Sequence, residues 1–195
     1  MNIIAHRINT MTLLKDTPKS FGVEVDIRSN GDDLILHHDP FIQGELLHEW
    51  IQHFNHGTLI LNVKEEGLES RLLDLMSQYR IEDFFFLDQS FPFLRKTALM
   101  GERRCAVRVS EYEDIKTALS ISKMIDWVWV DCFSNFPLNI DQVLELQNSG
   151  LKLCIVSPEL HGRTSTSRIL NFRNQTQLLG IEGGAVCTKH ADLWA

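Results

Sequence analysis

Eight short β-rich runs punctuate the 195 residues at nearly even intervals. They are "NIIAH" (2–6), "GVEVDI" (22–27), "TLILNVK" (58–64), "FFFLD" (84–88), "CAVRV" (105–109), "WVWVDCF" (127–133), "KLCIVS" (152–157) and "AVCTK" (185–189). Helical stretches separate most of them: "GELLHEWIQHF" and "LESRLLDLMSQY" carry apolar residues at helical spacing. In "SEYEDIKTALSI", Ser110 and Glu113 stand in capping-box spacing, and "NIDQVLELQNSG" runs from Asn139 as N-cap to Gly150 as stop signal. "TSTSRILNF" offers several N-cap residues, while the connection 7–20, with Pro18, has room for only a turn or two of helix. Strands alternating with helices imply a parallel sheet. Eight in strict alternation predict an α/β protein: a compact (β/α)8 TIM-type barrel with short loops, one domain over 1–195. Such barrels typically need about 250 residues, so loops and helices must be trimmed close to the minimum. The competing open doubly wound sheet usually has a glycine-rich first turn, and "AHRINTM" has no glycine.

Charge and composition narrow the partners. A net charge of -7 argues against nucleic acid or an anionic membrane surface, both of which call for a basic face. No apolar run approaches the roughly 20 residues of a membrane span, and "MNIIAHRINT" lacks the basic start and long apolar stretch of a signal peptide. Cys105, Cys132, Cys154 and Cys187 lie far apart with no CxxC spacing, which suits buried thiols in a reducing compartment. The expected setting is the cytoplasm, with a small-molecule partner and no membrane; the oligomeric state is left open.

In a barrel of this kind the chemistry sits at the C-terminal ends of the strands. Glu24 and Asp26, two apart on a strand, face the same way and should repel each other. A hard divalent cation between them, Mg²⁺ or Ca²⁺, removes that conflict. His6 and Arg7 end the first strand, His38 and Asp39 follow the second, and Asn62 and Lys64 end the third with the same two-residue alternation. Histidines beside a metal can supply an acid and a base near neutral pH, and Arg7 and Lys64 would offset charge on a bound anion. This combination describes phosphoryl chemistry. Strand alternation turns His37 away. Arg108, His161 and Arg163 fall on the rim positions open to a second phosphate or a sugar, whereas Asp131 and the Trp127/Trp129 pair read as core or barrel wall, with a substrate contact open for Trp129.

At these residues the chain resembles the glycerophosphodiester phosphodiesterases, within the wider phosphatidylinositol-phospholipase-C-like barrels. The resemblance rests on "AHR", "VEVDI" and "LHHDP"; it continues through "LNVK" and "GIEGGAVCTKHADLW", and its specific part spans 4–40. It implies His6 and His38 as the general acid/base pair, Glu24 and Asp26 as metal ligands, and Arg7 and Lys64 as phosphate contacts. It also implies one divalent cation, and attack on phosphorus by a water or a neighbouring hydroxyl. The chain departs from the pattern in several places. Asn62 stands where the family's third metal ligand is Glu, and Glu66 shares its parity. Ile8 replaces a Gly, the family's Glu-Asn-Thr element is reduced to "INT" at 8–10, "VSPELHGR" replaces Trp-Thr-x-Asn, and Lys189 stands where Asp is usual. The expected activity is metal-dependent hydrolysis of a soluble glycerophosphodiester or sugar phosphodiester. Two other readings stay open: lyase-like cleavage to a cyclic phosphate, and a barrel that binds a phosphorylated ligand without turnover.

Overall fold

A computed structural model of the chain describes residues 1–181 and 183–195; Glu182, inside the "GIEGG" segment, lies outside the described residues. The elements follow in chain order as β1 (Asn2–Ala5), α1 (Met11–Asp16), β2 (Gly22–Asn30), β3 (Asp33–Leu36), β4 (Glu45–Leu46), α2 (Leu47–Trp50), β5 (Leu59–Val63) and α3 (Glu69–Gln78). They continue as β6 (Phe84–Leu87), α4 (Phe91–Leu99), β7 (Ala106–Val109), α5 (Ile115–Ser120), β8 (Trp127–Val130), α6 (Ile140–Asn148), β9 (Lys152–Val156), α7 (Thr166–Leu178) and β10 (Ala185–Thr188). Parallel pairing runs β6–β5–β2–β1–β10–β9–β8–β7. The circuit closes between β6 and β7 through one bridge, Phe86 with Cys105, in which the Phe86 amide donates to the Arg104 carbonyl at 2.8 Å. The curled sheet is thus a barrel with one thin seam.

Strand alternation sorts the side chains into two cores. Val23, Val25, Ile27, Leu59, Leu61 and Val63 face outward onto the helices. Ile4, Ile60, Phe85, Trp127, Trp129, Cys154 and Cys187 fill the barrel interior, where Phe85 stacks on Trp127 at 4.5 Å between centroids. Rising along β1, β2 and β5, the inward positions change from apolar to polar: Ile4 gives way to His6, Ile60 to Asn62, and Gly22 to Glu24 and Asp26. The helices close as their signals require. Asn139 and Gln142 form a reciprocal capping box on α6, and Gly150 ends it at φ +83°, a left-handed turn that favours glycine.

Three features differ from the sequence expectations. β2 runs on past the barrel to Asn30 and folds back antiparallel onto β3, so an appended hairpin carries His37 and His38. Ser110 and Glu113 close a tight bridge instead of capping α5, whose N-cap is Asp114, bonded to the Lys116 amide at 2.9 Å. α4 was not anticipated, although Ser90 before "FP" is a start signal, with a proline in the first turn and Leu94 and Ala98 buried on one face. Among the described residues no helix is long and apolar enough to cross a membrane.

Gly22 opens β2 against the barrel floor: a Cβ there would lie 2.4 Å from Ile4 Cδ1 and 2.5 Å from the Thr58 carbonyl oxygen. A carbonyl cannot swing aside as a side chain can. Gly22→Ala is therefore expected to cost about 1–3 kcal/mol, a fall of about 2–12 °C in Tm at this chain length. A thermal melt matching that of the parent chain would refute this packing.

Candidate active site

The end of β1 is bent to serve a buried carboxylate. Arg7 adopts a left-handed φ of +56°, uncommon for a non-glycine residue, and this turns its amide to donate to Glu24 Oε2 at 2.7 Å. The Ile8 amide then donates to the Glu24 carbonyl at 2.8 Å. Two residues on, Asn9 clamps Asp26 from both sides, its Nδ2 donating to Oδ2 at 2.8 Å and its Oδ1 accepting from the Asp26 amide at 2.9 Å. Asn9 was not singled out from the sequence; its only signal was its place within "INT".

Glu24 and Asp26 are fully buried. Asn62 Nδ2 donates to Glu24 Oε1 at 2.7 Å. Burial pushes the Glu24 carboxyl up and the Asp26 charge adds to it, against the bonds from Asn62 and Arg7, to about 7. Lys64 Nζ lies 3.3 Å from Asp26 Oδ1, and Arg7 Nε 3.6 Å from Oδ2. His6 Nε2 lies 3.9 Å from Glu24 Oε2. Burial, followed by the charges of Arg7, Lys189, Lys64 and His38, holds the His6 imidazole down to about 3. His6 is therefore neutral at neutral pH.

His38 sits at the hairpin corner, close enough for its charge to act on His6. Its Nδ1 is paired with Asp39 Oδ1 at 2.8 Å, and its carbonyl accepts two bonds from the Arg28 guanidinium at 3.0 and 2.9 Å. His37 is occupied locally, its Nδ1 accepting from the Asp39 amide at 3.0 Å. Glu66 lies beyond the end of β5 and is exposed, away from the position its parity suggested.

Around the rest of the rim the charges alternate. Lys64 Nζ donates to Asp88 Oδ2 at 2.9 Å, Arg108 pairs with Asp88 and, at 3.2 Å, with Asp131 Oδ2, and His161 Nε2 meets Asp131 Oδ1. Asp131, expected as core or barrel wall, therefore joins Arg108 to His161. Burial favours the neutral form of Asp88, but the charges and bonds of Lys64 and Arg108 outweigh it and hold its carboxyl below the usual range. Arg163 donates to the carbonyls of Cys132 and Ser134, which ties down the loop after β8. Behind the rim, buried Glu159 gathers Ser157, Thr188 and the Lys189 amide.

The donor set suits a hard cation. Asn62 Oδ1 is shielded from solvent without a hydrogen bond, and Asp26 Oδ1, on the neighbouring strand that pairs Asp26 with Asn62, is shielded with only the Lys64 ammonium, at 3.3 Å, beside it. Two such oxygens beside a carboxyl raised to about 7 are what a divalent ion would satisfy. Among the described residues no three His, Cys, Asp or Glu side chains converge as a metal group. A cation here would therefore use the Asn62 amide oxygen beside the two carboxylates.

No protein-family model matches the sequence, and no curated protein does. Solved structures do match in fold. A glycerophosphodiester phosphodiesterase from Agrobacterium tumefaciens superposes with a TM-score of 0.68 at 13% identity, over 100% of this chain and 97% of that one. A glycerophosphoryl diester phosphodiesterase from Parabacteroides distasonis gives 0.68 at 15% identity, over 96% and 82%. A tryptophan synthase alpha-subunit variant from Pyrococcus furiosus gives 0.56 at 10% identity, over 96% and 86%. The chain has the barrel fold of the phosphodiesterases along its whole length. The third structure shows that such a fold also carries other chemistry.

Asp88 yields a test of the rim network. A carboxyl held below its ordinary value of about 3.9 stabilises the fold above that pH, and the contribution disappears as pH falls through the folded value. Asp88→Asn should cost about 1–3 kcal/mol at pH 7, with a gap that narrows in acid. Urea unfolding at pH 7 and near pH 3 reads the difference, and an equal gap at both would show that Asp88 is not ion-paired.

Proposed function

We propose that this chain is a metal-assisted phosphodiesterase acting on a soluble diester of glycerol or a sugar. The observation that carries the reading is the convergence of His6, His38, Arg7, Lys64 and Asn62 around one buried carboxylate pair. The fold shared with two phosphodiesterases supports it. Four buried free thiols suit a reducing, cytoplasmic setting.

Geometry and charge support the following roles. Arg7 and Lys64 would hold the phosphate, with Lys189 adding positive charge near His6. Their pairing with acidic partners fixes where those charges point. His6 would act with His38 as the acid/base pair, from its buried place beside Glu24. His38, with Nδ1 pinned by Asp39, presents its other nitrogen to protonate the departing alcohol. Glu24, Asp26 and Asn62 would hold a Mg²⁺ or Ca²⁺ ion, which when bound supplies Lewis-acid stabilisation of charge on the phosphoryl oxygens. A substrate hydroxyl placed beside phosphorus would use the same two histidines to form a cyclic phosphate, and product analysis separates the two routes. Asn62 favours a second reading, a barrel that binds a phosphorylated ligand without turnover, since its amide gives one charge fewer to a cation.

Replacement of either His6 or His38 by alanine should lower kcat by about 10²- to 10⁴-fold with the fold intact, while His37→Ala costs far less. The assay panel is soluble glycerophosphodiesters and sugar phosphodiesters with added Mg²⁺ or Ca²⁺. Equal losses at His37 and His38 would mean that His38 is the wrong histidine of the pair for this role, and binding without turnover by the parent chain would favour the second reading.

Cation binding is read separately by calorimetry. Glu24→Gln should weaken it by about ten-fold or more through loss of a charged oxygen, and Asn62→Glu should strengthen it. Unchanged affinity in Glu24→Gln would remove Glu24 from the ligand set.

A further inference from the structure

A cleft of about 400 Å³ lies between the loop that follows β8 and the outer side of α7. That volume falls within the range of about 300–1,000 Å³ usual for small-molecule sites. Phe136 and Phe172, buried and packed edge to face at 5.6 Å between centroids, give it a rigid apolar base. Arg163, Arg168, Asn135, Asn171 and Gln175 supply the polar lining, and no Asp or Glu takes part in it. Arg168, Asn171 and Gln175 follow one another at steps of three and four residues, so they share one face of α7, and all three are exposed.

Charge sets this cleft apart. The chain carries a net -7, and clefts elsewhere on its surface hold acids: Glu113 and Asp114 between β6 and β7, Glu65 beside the hairpin. Here two guanidinium groups stand without a carboxylate; among the described residues neither Arg163 nor Arg168 forms an ion pair. Arg163 is also held in place. It donates to the carbonyls of Cys132 and Ser134. From the opposite direction the amides of Phe133, Ser134 and Asn135 donate to Glu111 at 3.0, 2.6 and 2.8 Å, which engages both of its oxygens. The loop is thus gripped by an acid through its amides and by Arg163 through its carbonyls. Carbonyl oxygens orient a guanidinium without cancelling its charge, which persists at any ordinary pH. Two such charges are balanced by one dianion, whereas a carboxylate balances only one of them. A phosphate monoester is close to a dianion at neutral pH, and arginine meets it with paired N–H bonds. The three side-chain amides each offer both donors and an acceptor, which suits hydroxyl groups on the body of the ligand.

We propose that this cleft binds the phosphate monoester of a small polyhydroxyl compound, at a site separate from the Glu24–Asp26 centre. The inference rests on the cleft alone and not on the phosphodiesterase reading. Titration calorimetry of the full chain with glucose 6-phosphate tests it, with glucose and gluconate as comparators that keep the hydroxyl groups and carry no charge or one. EDTA in the buffer keeps divalent cations from adding a phosphate site at Glu24 and Asp26. Glucose 6-phosphate should bind in preference to both comparators. Arg168→Gln should weaken it by about ten-fold or more, the effect of losing a charged hydrogen-bond partner. Asn171→Asp should weaken it too, by setting a carboxylate beside the phosphate. Both positions are exposed on α7, and the second variant reads the site if the first does not fold. No binding of glucose 6-phosphate at millimolar concentration, equal affinity for gluconate, or an affinity that a folded Arg168→Gln leaves unchanged would overturn the proposal. The measurement needs no turnover. A chain inactive on every diester that binds glucose 6-phosphate through Arg168 supports the proposal while defeating the catalytic reading; an active chain that ignores glucose 6-phosphate does the reverse.

Discussion

Two carboxylates buried side by side set the terms for everything above the barrel floor. Taking an ion out of water costs several kcal/mol even after the surroundings relax, and like charges add to that. Glu24 and Asp26 bear both costs, and their neighbours are arranged in answer. Arg7 accepts an uncommon backbone conformation to deliver an amide, Asn9 spends both ends of its side chain on Asp26, Asn62 turns its amide towards Glu24, and Lys64 approaches from the next strand. Three separate segments are thereby fixed relative to one another. A cation and a phosphate would enter a setting already organised around the same conflict.

The parts of this arrangement that follow strand parity were legible in the sequence. Inward and outward positions alternate strictly, so His6, Glu24, Asp26, Asn62, Lys64 and Arg108 were placed on the rim by counting along eight runs. Parity says where a side chain faces but not what it meets. Asp88 and Asp131 lie at or just beyond strand ends, and their pairing with Lys64, Arg108 and His161 depends on how neighbouring strands register. Arg28 was equally hidden: it reaches the His38 carbonyl only because β2 continues into a hairpin, and "RSNGDDLIL" gives a turn signal without saying where the barrel strand stops. The Ser110–Glu113 spacing misled for a related reason, since a hydroxyl and a carboxylate three apart can close a turn as readily as cap a helix.

The rim also shows how a small barrel economises on positive charge. Arg108 serves two carboxylates, as does Lys64, so each acid is neutralised by a cation it shares. Removing one member leaves its neighbours partly paired, not stranded. Such sharing keeps the side chains in place in a chain with a net charge of -7.

The seam between β6 and β7 has a consequence for solubility. A strand whose edge is open offers its backbone to any other chain, and β6 begins with three consecutive phenylalanines, Phe84, Phe85 and Phe86, a strongly aggregation-prone composition. Local cover comes from the other side of the seam: the Arg104 guanidinium lies 4.0 Å from the Phe84 ring centre and is tied by Glu102. A charged residue set against an aromatic strand edge is a gatekeeper, unfavourable to bury between two chains. Arg104 thus covers the lower end of the seam, below the Phe86–Cys105 bridge, where the phenylalanine-rich start of β6 lies.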